Sequence, residues 1–217
     1  MAGWPILEVL EAEELRGVLS GARRRRYRRG EVVFHRDDPA DTMHLVRSGC
    51  LAARVVTPLG SVATLQLLGP GQCFGELALV RSGNRRTATV EALAASETYA
   101  LSSDDLQQLR RRHPEIQDHL LELMADRVAD LTDRLVGALY VPAPRRVREI
   151  VDDLAERYRE PSGDAVIPLT QDDLAGLAGT SRLTVNRVLQ QLRRRGQVEL
   201  GRGRIRVIGP GASARPG

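Results

Sequence analysis

The residues best suited to binding chemistry lie in two short runs, 74–81 and 86–88. The first reads Phe-Gly-Glu-Leu-Ala-Leu-Val-Arg and the second Arg-Thr-Ala, which places Glu76 ten residues before Arg86. A guanidinium binds phosphate through charge-assisted hydrogen bonds, and a carboxylate accepts hydrogen bonds from sugar hydroxyls. A turn opened by Gly75 would let backbone N–H groups approach an anion. The pattern predicts a receptor for a small phosphorylated molecule.

Other site chemistries find little support in the residues present. Cys50 and Cys73 stand alone, without the spacing that zinc, iron–sulfur or disulfide frameworks require. No Ser/His/Asp or Cys/His set suited to nucleophilic catalysis is visible, and the histidines lack metal-ligand spacing. We therefore predict a protein that is not an enzyme and has neither a catalytic residue nor a metal site. Each histidine is expected at the surface or in a turn: His35, His44, His113 and His119.

The positive charge of the chain is concentrated in its last third. The formal net charge is +4 and all 32 cations are arginine. Residues 142–217 hold 14 arginines against nine acids, and within 181–206 eight arginines accompany the single acid Glu199. Such a concentrated basic stretch is typical of a nucleic-acid binder. The N-terminus lacks the basic region of a signal peptide and no apolar run could span a membrane, so we expect a cytoplasmic protein without membrane contact.

The elements that must position these residues begin with a helix over residues 6–20, followed by a long glycine-punctuated region. Between residues 28 and 101, short apolar runs alternate with glycine and proline, which favours a sandwich, jelly roll or barrel. The predicted strands are 32–34, 44–46, 51–56, 63–68, 87–90 and 98–101.

A long helix is predicted from Pro114 to just before Pro142. Its apolar residues alternate steps of three and four, the spacing of a coiled-coil seam, and they are Leu121, Met124, Val128, Leu131, Leu135 and Ala138. Such a stripe can also pack on its own domain, but its length favours a two-helix dimer. The run Pro142-Ala143-Pro144 ends this helix and is interpreted as a hinge.

A helix-turn-helix pattern follows the hinge and an amphipathic helix over 145–158. Residues 170–173 have the spacing of a capping box, Gly179 marks the turn, and a second helix runs from Ser181 to Arg195. The remaining chain predicts a hairpin wing, and the alternative use of this scaffold is protein–protein packing. The predicted DNA-binding residues are Thr170, Gln171, Ser181, Arg182, Leu183, Thr184, Asn186, Arg187, Arg202 and Arg204.

Together these motifs resemble the CRP/FNR transcription regulators, the family of the cyclic-AMP receptor protein. Residues 74–78 and 86–88 match the family's phosphate-binding cassette, and 181–187 match its recognition-helix motif. The resemblance implies an α+β protein with an N-terminal cyclic-nucleotide-binding, jelly-roll-like β-roll, a long coiled-coil dimerisation helix and a C-terminal winged helix-turn-helix. The implied segments are a sensor domain 1–112, a dimerisation helix 113–141, a DNA-binding domain 142–209 and a disordered tail 210–217.

The resemblance also implies a ligand, cyclic AMP or cyclic GMP, as an effector rather than a required cofactor. The implied ligand-binding residues are Gly75, Glu76, Leu77, Ala78, Arg86, Thr87, Leu131 and Thr132. Leu131 stands where cyclic-AMP receptors carry a hydroxyl for the adenine, so either base selectivity differs or the base is held mainly by packing. Two alternatives stay open: a structural ion pair between Glu76 and Arg86 in a cassette that binds nothing, and a regulator controlled by its abundance.

Two further departures concern the fold and the DNA. Asp37 stands where the family usually has a glycine, and because aspartate tolerates a left-handed turn the fold should be kept. Leu183 replaces the glutamate that accepts from a base amino group; leucine cannot accept but can contact a thymine methyl. The partners implied are a pseudo-palindromic double-stranded DNA operator, a second copy of this chain and RNA polymerase.

Overall fold

The computed structural model describes residues 3–58, 60–77 and 85–209, and the chain divides into two compact units. The first unit comprises Met1–Val55 and Leu65–Leu131. The second comprises Val56–Thr64 and the chain from Thr132 onward.

Two four-stranded sheets make up most of the first unit, in the orders β1-β8-β3-β6 and β2-β7-β4-β5, although the last residue of β4 and the first three of β5 belong to the second unit. The chain combines these sheets with helices, which agrees with the predicted α+β class. The strands are β1 (Arg23–Tyr27), β2 (Val32–Phe34), β3 (Thr42–Ser48), β4 (Leu51–Val56), β5 (Val62–Leu68), β6 (Cys73–Phe74), β7 (Thr89–Ala92) and β8 (Ser96–Ser102).

Strand β1 is absent from the sequence-based expectations. It begins with four exposed arginines, and only Tyr27 at its end is buried. Its register against β8 runs from Arg23 opposite Ala100 to Tyr27 opposite Ser96. Backbone pairing at a sheet edge, rather than an apolar pattern, therefore makes this segment a strand.

Buried apolar side chains form two clusters. One lies between the two sheets, and the other covers the outer face of β3 and β8. The inner cluster includes Tyr27, Val46, Leu51, Phe74 and Val90. The outer cluster packs the sheet against helices and includes Trp4, Leu7, Leu10, Met43, Leu45, Leu101, Leu106, Leu109, Ile116 and Leu120.

The predicted helix over 6–20 is wrong at its start. A 3-10 turn covers Pro5–Leu7, and helix α1 begins only at Ala12 and ends at Gly21. Leu7 and Leu10 are both buried in the outer cluster, so this segment follows the core surface instead of a single helix axis. The extended backbone of Glu11 then starts α1 in a new direction.

Two helices follow the sheets, α2 (Ser103–Arg112) and α3 (Glu115–Tyr140). Ser102 and Asp105 form a capping box at the start of α2. The predicted long helix is confirmed with 26 residues, and it buries only Ile116 and Leu120 near its start. Most of the proposed seam is exposed on the single chain, including its members Leu121, Val128, Leu131 and Leu135.

Three helices and a three-stranded sheet follow α3 in the second unit. They are α4 (Ala143–Arg157), β9 (Ala165–Ile167), α5 (Gln171–Ala178), α6 (Arg182–Arg194), β10 (Val198–Gly201) and β11 (Arg204–Val207), with the sheet order β10-β11-β9. The predicted capping box is confirmed, because Thr170 accepts from the Asp173 N–H at 3.1 Å. Gly179 ends α5 with a φ of 57°, a left-handed conformation that favours glycine. The predicted disorder of 210–217 lies outside the described residues.

Candidate functional site

The backbone of Arg86 is held by the turn that contains Asp37. The N–H of Asp37 donates to the Arg86 carbonyl at 2.9 Å, and the N–H of Arg86 donates to the Asp38 carbonyl at 3.0 Å. Asp37 has a φ of 70°, which confirms the expected left-handed turn at this position. This pairing fixes where the Arg86 side chain enters the roll.

The guanidinium of Arg86 is buried and donates to three oxygens. Its Nη1 donates to the Thr42 carbonyl at 2.7 Å and to the Gly75 carbonyl at 3.3 Å. Its Nη2 donates to Thr42 Oγ1 at 2.8 Å. Burial lowers the pKa of Arg86, an effect opposed by the carboxylates of Asp41 and Asp38. An arginine in this setting still carries its charge at neutral pH.

Aromatic rings lie beneath the Arg86 charge. The guanidinium carbon is 4.0 Å from the centre of the Phe34 ring, a cation–π distance. His44 stacks on Phe74 with ring centres 4.9 Å apart, and its Nδ1 lies 3.1 Å from Thr98 Oγ1. Burial, with the nearby Arg86 charge, lowers the pKa of His44 to about 3, so its ring is neutral. The expectation of a surface or turn position is therefore wrong for His44, because β3 directs its side chain into the roll.

Gly75 is the residue that lets Arg86 come close to the backbone. Its φ is +86°, and a Cβ at this position would lie 2.6 Å from Arg86 Nη1 and 3.1 Å from the Thr42 carbonyl oxygen. No larger residue fits without displacing the guanidinium. The glycine of the motif therefore has a steric as well as a conformational reason.

Glu76 is fully buried and forms its ion pair with Arg127 of α3. Arg127 Nη1 donates to Glu76 Oε1, and Arg127 Nη2 donates to the Cys73 carbonyl at 3.3 Å. The alternative of a Glu76–Arg86 ion pair is wrong in its partner: the cation that neutralises Glu76 comes from α3. Burial, reinforced by Glu76, raises the pKa of Cys73 to about 12, so that thiol is a neutral core group.

Three buried polar atoms of this cluster lack a hydrogen-bond partner among the described residues. They are Glu76 Oε2, Arg86 Nε and Arg127 Nε. Leaving a buried polar group unsatisfied costs about 1–3 kcal/mol. Their concentration in one cluster, with charge of both signs, fits a ligand that carries both hydrogen-bond donors and anionic acceptors.

The other predicted ligand residues are placed less tightly. Leu77 is partly buried, Thr87 is exposed, and Ala78 lies outside the described residues. Leu131 and Thr132 both lie on the exposed stretch of α3, one turn beyond Arg127.

The outward face of α6 carries the predicted DNA readers. Arg182, Leu183 and Arg187 are exposed and Asn186 is partly buried, with its Oδ1 accepting from Gln190 Nε2 at 3.4 Å. The opposite face is buried as predicted, by Val185, Val188, Leu189 and Leu192. The side chain of Ser181 caps the helix by accepting from the Thr184 N–H at 3.3 Å.

The surrounding positions extend this face in both directions. Arg182 Nη1 forms an ion pair with Asp172 Oδ2 of α5 at 3.1 Å. Thr170 and Gln171, at the start of α5, are partly buried. Arg202 and Arg204 are exposed on the wing, whereas the neighbouring Arg206 pairs with Asp164 at 2.8 Å.

Comparison with known proteins identifies both units. Residues 24–113 match the model of the cyclic nucleotide-binding domain, and residues 145–212 match that of the Crp-like helix-turn-helix domain. The cyclic AMP receptor protein of Thermus thermophilus is 35% identical over 207 residues, covering 95% of this chain and 94% of that protein. The chain belongs to the CRP/FNR family of transcription regulators.

Further relatives of this CRP/FNR member differ in the effector that their names carry. A CRP-like cAMP-activated global transcriptional regulator of Mycobacterium tuberculosis is 30% identical over 79% of this chain and 78% of that protein. The structure of the c-di-GMP-responsive global regulator CLP of Xanthomonas campestris aligns with a TM-score of 0.77 and 25% identity, covering 92% of this chain and all of that one. These relatives are transcription regulators rather than enzymes.

Arg127 is the site residue that the sequence reasoning did not identify. It lies four residues before Leu131, and residues four apart share one face of a helix. A cation on the face already expected to meet the ligand was the available signal. Among the described residues no group of three or more potential metal ligands comes together, and no helix is long and apolar enough to cross a membrane.

Proposed function

We propose that this CRP/FNR protein is a homodimeric, sequence-specific DNA-binding transcription regulator whose DNA affinity is set by a cyclic nucleotide. The observation that carries the proposal is the cluster of Glu76, Arg86 and Arg127, three charged side chains that each have one buried atom without a hydrogen-bond partner among the described residues. Such a cluster is costly unless a ligand completes its hydrogen bonds.

In this proposal each residue of the cluster has a separate task. Arg86 binds the cyclic phosphate by charge-assisted hydrogen bonds, supported by backbone N–H groups beside Gly75. Glu76 Oε2 accepts from the ribose 2′-OH, while Arg127 holds the other carboxylate oxygen in an ion pair. Thr87 adds a hydroxyl at the exposed edge. The base packs on Leu131, and Thr132 supplies a hydroxyl from the next position of α3.

The exposed seam of α3 supports the dimer. Side chains such as Leu135, which is 60% exposed on the single chain, gain about 1.5–3 kcal/mol when fully buried. Pairing two α3 helices would bring two copies of α6 to positions about 34 Å apart on a pseudo-palindromic operator. We place the regulator in the cytoplasm, in contact with RNA polymerase, on the strength of its family.

Ligand control follows from linkage between the two binding equilibria. A nucleotide changes DNA affinity only by as much as it prefers the DNA-competent conformation, and DNA changes nucleotide affinity by the same factor. The proposal therefore requires a reciprocal effect, which is measurable from either side.

The experiment that tests the proposal is titration calorimetry on nucleotide-free protein with cyclic AMP, cyclic GMP and c-di-GMP. We expect binding of one of them, and a loss of about 1.5–3 kcal/mol in Arg86→Ala, because a charged hydrogen-bonding group is removed. Arg85→Ala is the matched control, since Arg85 is adjacent but exposed and its guanidinium donates to the Asp37 carbonyl at 2.8 Å. Unchanged affinity in Arg86→Ala would remove this residue from the site.

A second candidate is the same DNA-binding dimer without an effector. It is favoured by the protein's own pairing of these charges, because Arg127 already neutralises Glu76 and Thr42 already accepts from Arg86. Specific DNA affinity that stays constant with and without every nucleotide would select this candidate.

A further inference from the structure

Leu183 is an apolar side chain in a conspicuous place. It is 68% exposed, and among the described residues from Ala143 to Gly209 no other large hydrophobic side chain is exposed. It occupies the second position of α6 and follows Arg182 directly. Within residues 143–209, Leu183 is therefore the one large apolar side chain that stays exposed.

Packing within the chain does not account for Leu183. Helix α6 buries Val185, Val188, Leu189 and Leu192 on its inner face. Leu183 lies on the outer face, where its neighbours are polar or charged. A single exposed leucine is ordinary on a protein surface. Its location on the first turn of the helix proposed to enter the major groove is what gives it meaning.

The chemistry of the major groove restricts what a leucine can recognise there. Each base edge presents hydrogen-bond donors and acceptors, and the one apolar group on offer is the C5-methyl of thymine. Leucine has neither a donor nor an acceptor, so it cannot distinguish the polar edges by pairing with them. Its neighbours supply those contacts: Arg187 is exposed, and Arg182 is oriented by Asp172 at 3.1 Å.

We infer that Leu183 is a specificity-determining residue that reads the C5-methyl group of a pyrimidine in each operator half-site. The inference rests on the proposed DNA-binding function and names the group recognised by it. 5-Methylcytosine presents the same methyl group at the same position of the ring. In an operator that carries cytosine in place of that thymine, methylation of the cytosine should therefore strengthen binding.

The test begins with selection of an operator from random duplexes by the full-length protein, followed by replacement of each thymine with deoxyuridine. That replacement removes one methyl group and nothing else. We expect one thymine per half-site at which the wild type binds deoxyuridine about fourfold more weakly, the equivalent of ~0.8 kcal/mol for one buried methyl-sized group. Leu183→Ala should bind the two duplexes equally.

Arg187→Ala is the matched control on the same helix face. It should weaken binding to both duplexes while leaving the thymine-to-deoxyuridine ratio at about fourfold, since the two side chains contact different groups. Circular dichroism would verify that Leu183→Ala is folded, and alanine at an exposed helical position favours the helix. A cytosine and 5-methylcytosine pair at the same position should show the same dependence on Leu183.

The outcomes separate the inference from the function on which it rests. A selected consensus in which no thymine shows the methyl effect, or one whose effect persists in Leu183→Ala, overturns the inference alone. Selection that returns no consensus overturns the proposed function and the inference together.

Discussion

Arg86 approaches the backbone so closely that the residue beside it has to be glycine. The contact of 2.6 Å that a Cβ at Gly75 would make with Arg86 Nη1 ties the first half of the motif to the second. Gly75 and Arg86 are eleven residues apart in the sequence but in direct contact in the fold. The Gly-Glu pair and the arginine form one structural group.

We expect Gly75→Ala to abolish nucleotide binding and to destabilise the first unit. Gly30→Ala is the matched control, because Gly30 has a similar φ of +82° but no atom within 4 Å of an added Cβ. Gly30→Ala should lower the free energy of unfolding only by the cost of a left-handed backbone at alanine, about 1–2 kcal/mol. Urea unfolding and calorimetry of both variants would measure the difference, and equal losses would show that the contact with Arg86 is unimportant.

Glu97 of β8 is a carboxylate shared by three arginines of the two neighbouring strands, β1 and β3. Hydrogen bonds from three arginines lower the pKa of Glu97 to about 2, from an ordinary value near 4.5. Arg24 has the largest effect, followed by Arg47 and Arg26. A group whose pKa is lower in the folded state stabilises that state above its unfolded pKa, and the effect is lost as pH falls through the folded pKa.

We therefore expect Glu97→Gln to be less stable than the wild type at neutral pH, by a margin that shrinks between about pH 4.5 and pH 2. The margin should be modest because the three arginine side chains are 47% to 75% exposed and solvent screens such pairs. Urea titrations across this pH range would measure it. A margin independent of pH would rule out the ionised carboxylate as its source.

At the scale of elements, Arg146 joins α4 to the ends of two other helices. Its guanidinium donates to the carbonyls of Val141 at 2.6 Å, Ala178 at 3.0 Å and Gly179 at 3.2 Å. Carbonyls at helix C-termini have no partner within their own helix, so an arginine there satisfies several at once. The turn between α5 and α6 is thus tied to the end of α3.

We expect Arg146→Ala to lower the free energy of unfolding by about 1–3 kcal/mol, since several carbonyls lose their donor. Arg145→Ala is the control, because Arg145 is exposed and forms an ion pair with Glu149 at 2.8 Å, a contact worth about 0.5 kcal/mol or less. Arg146→Lys should recover only part of the loss, because an ammonium cannot span three separate carbonyls. Urea unfolding followed by circular dichroism would compare them. Equal stability of the two alanine variants would contradict this role for Arg146.

The elements also show where reasoning from sequence succeeds. The capping box at Thr170, the glycine that ends α5 and the buried face of α6 follow from local rules, so they were predictable. The segment Arg23–Tyr27 was not, because an edge strand held by backbone pairing with β8 needs no apolar pattern.

The site separates in the same way into local and long-range parts. The spacing of Gly75, Glu76 and Arg86 within one segment of the sequence predicts that they belong to one site. The partner of Glu76 lies 51 residues away on α3, and no rule of local spacing names it. Burial of His44 has the same origin, since the alternation of β3 directs it against Phe74.

At the scale of the whole molecule, the exposed seam of α3 determines the state of assembly that we propose. We expect Leu135→Asp to convert the dimer into monomers, because it places a charge in an apolar interface. Ala129→Asp is the control, with the same new side chain at an exposed position off the seam. Sedimentation velocity would distinguish them, and a dimeric Leu135→Asp variant would contradict the seam.

The one tryptophan of the chain is Trp4, buried in the outer cluster of the first unit. Its Nε1 donates to the Val46 carbonyl at 3.0 Å, and its ring meets Tyr99 edge-on with centres 5.9 Å apart. Intrinsic tryptophan fluorescence therefore reports on the first unit alone, whereas far-ultraviolet circular dichroism reports on the helices of both. Denaturation curves recorded with the two probes on one sample would coincide if the units melt together and diverge if they melt separately. The chain thus carries its own reporter of whether its two halves unfold as one cooperative body.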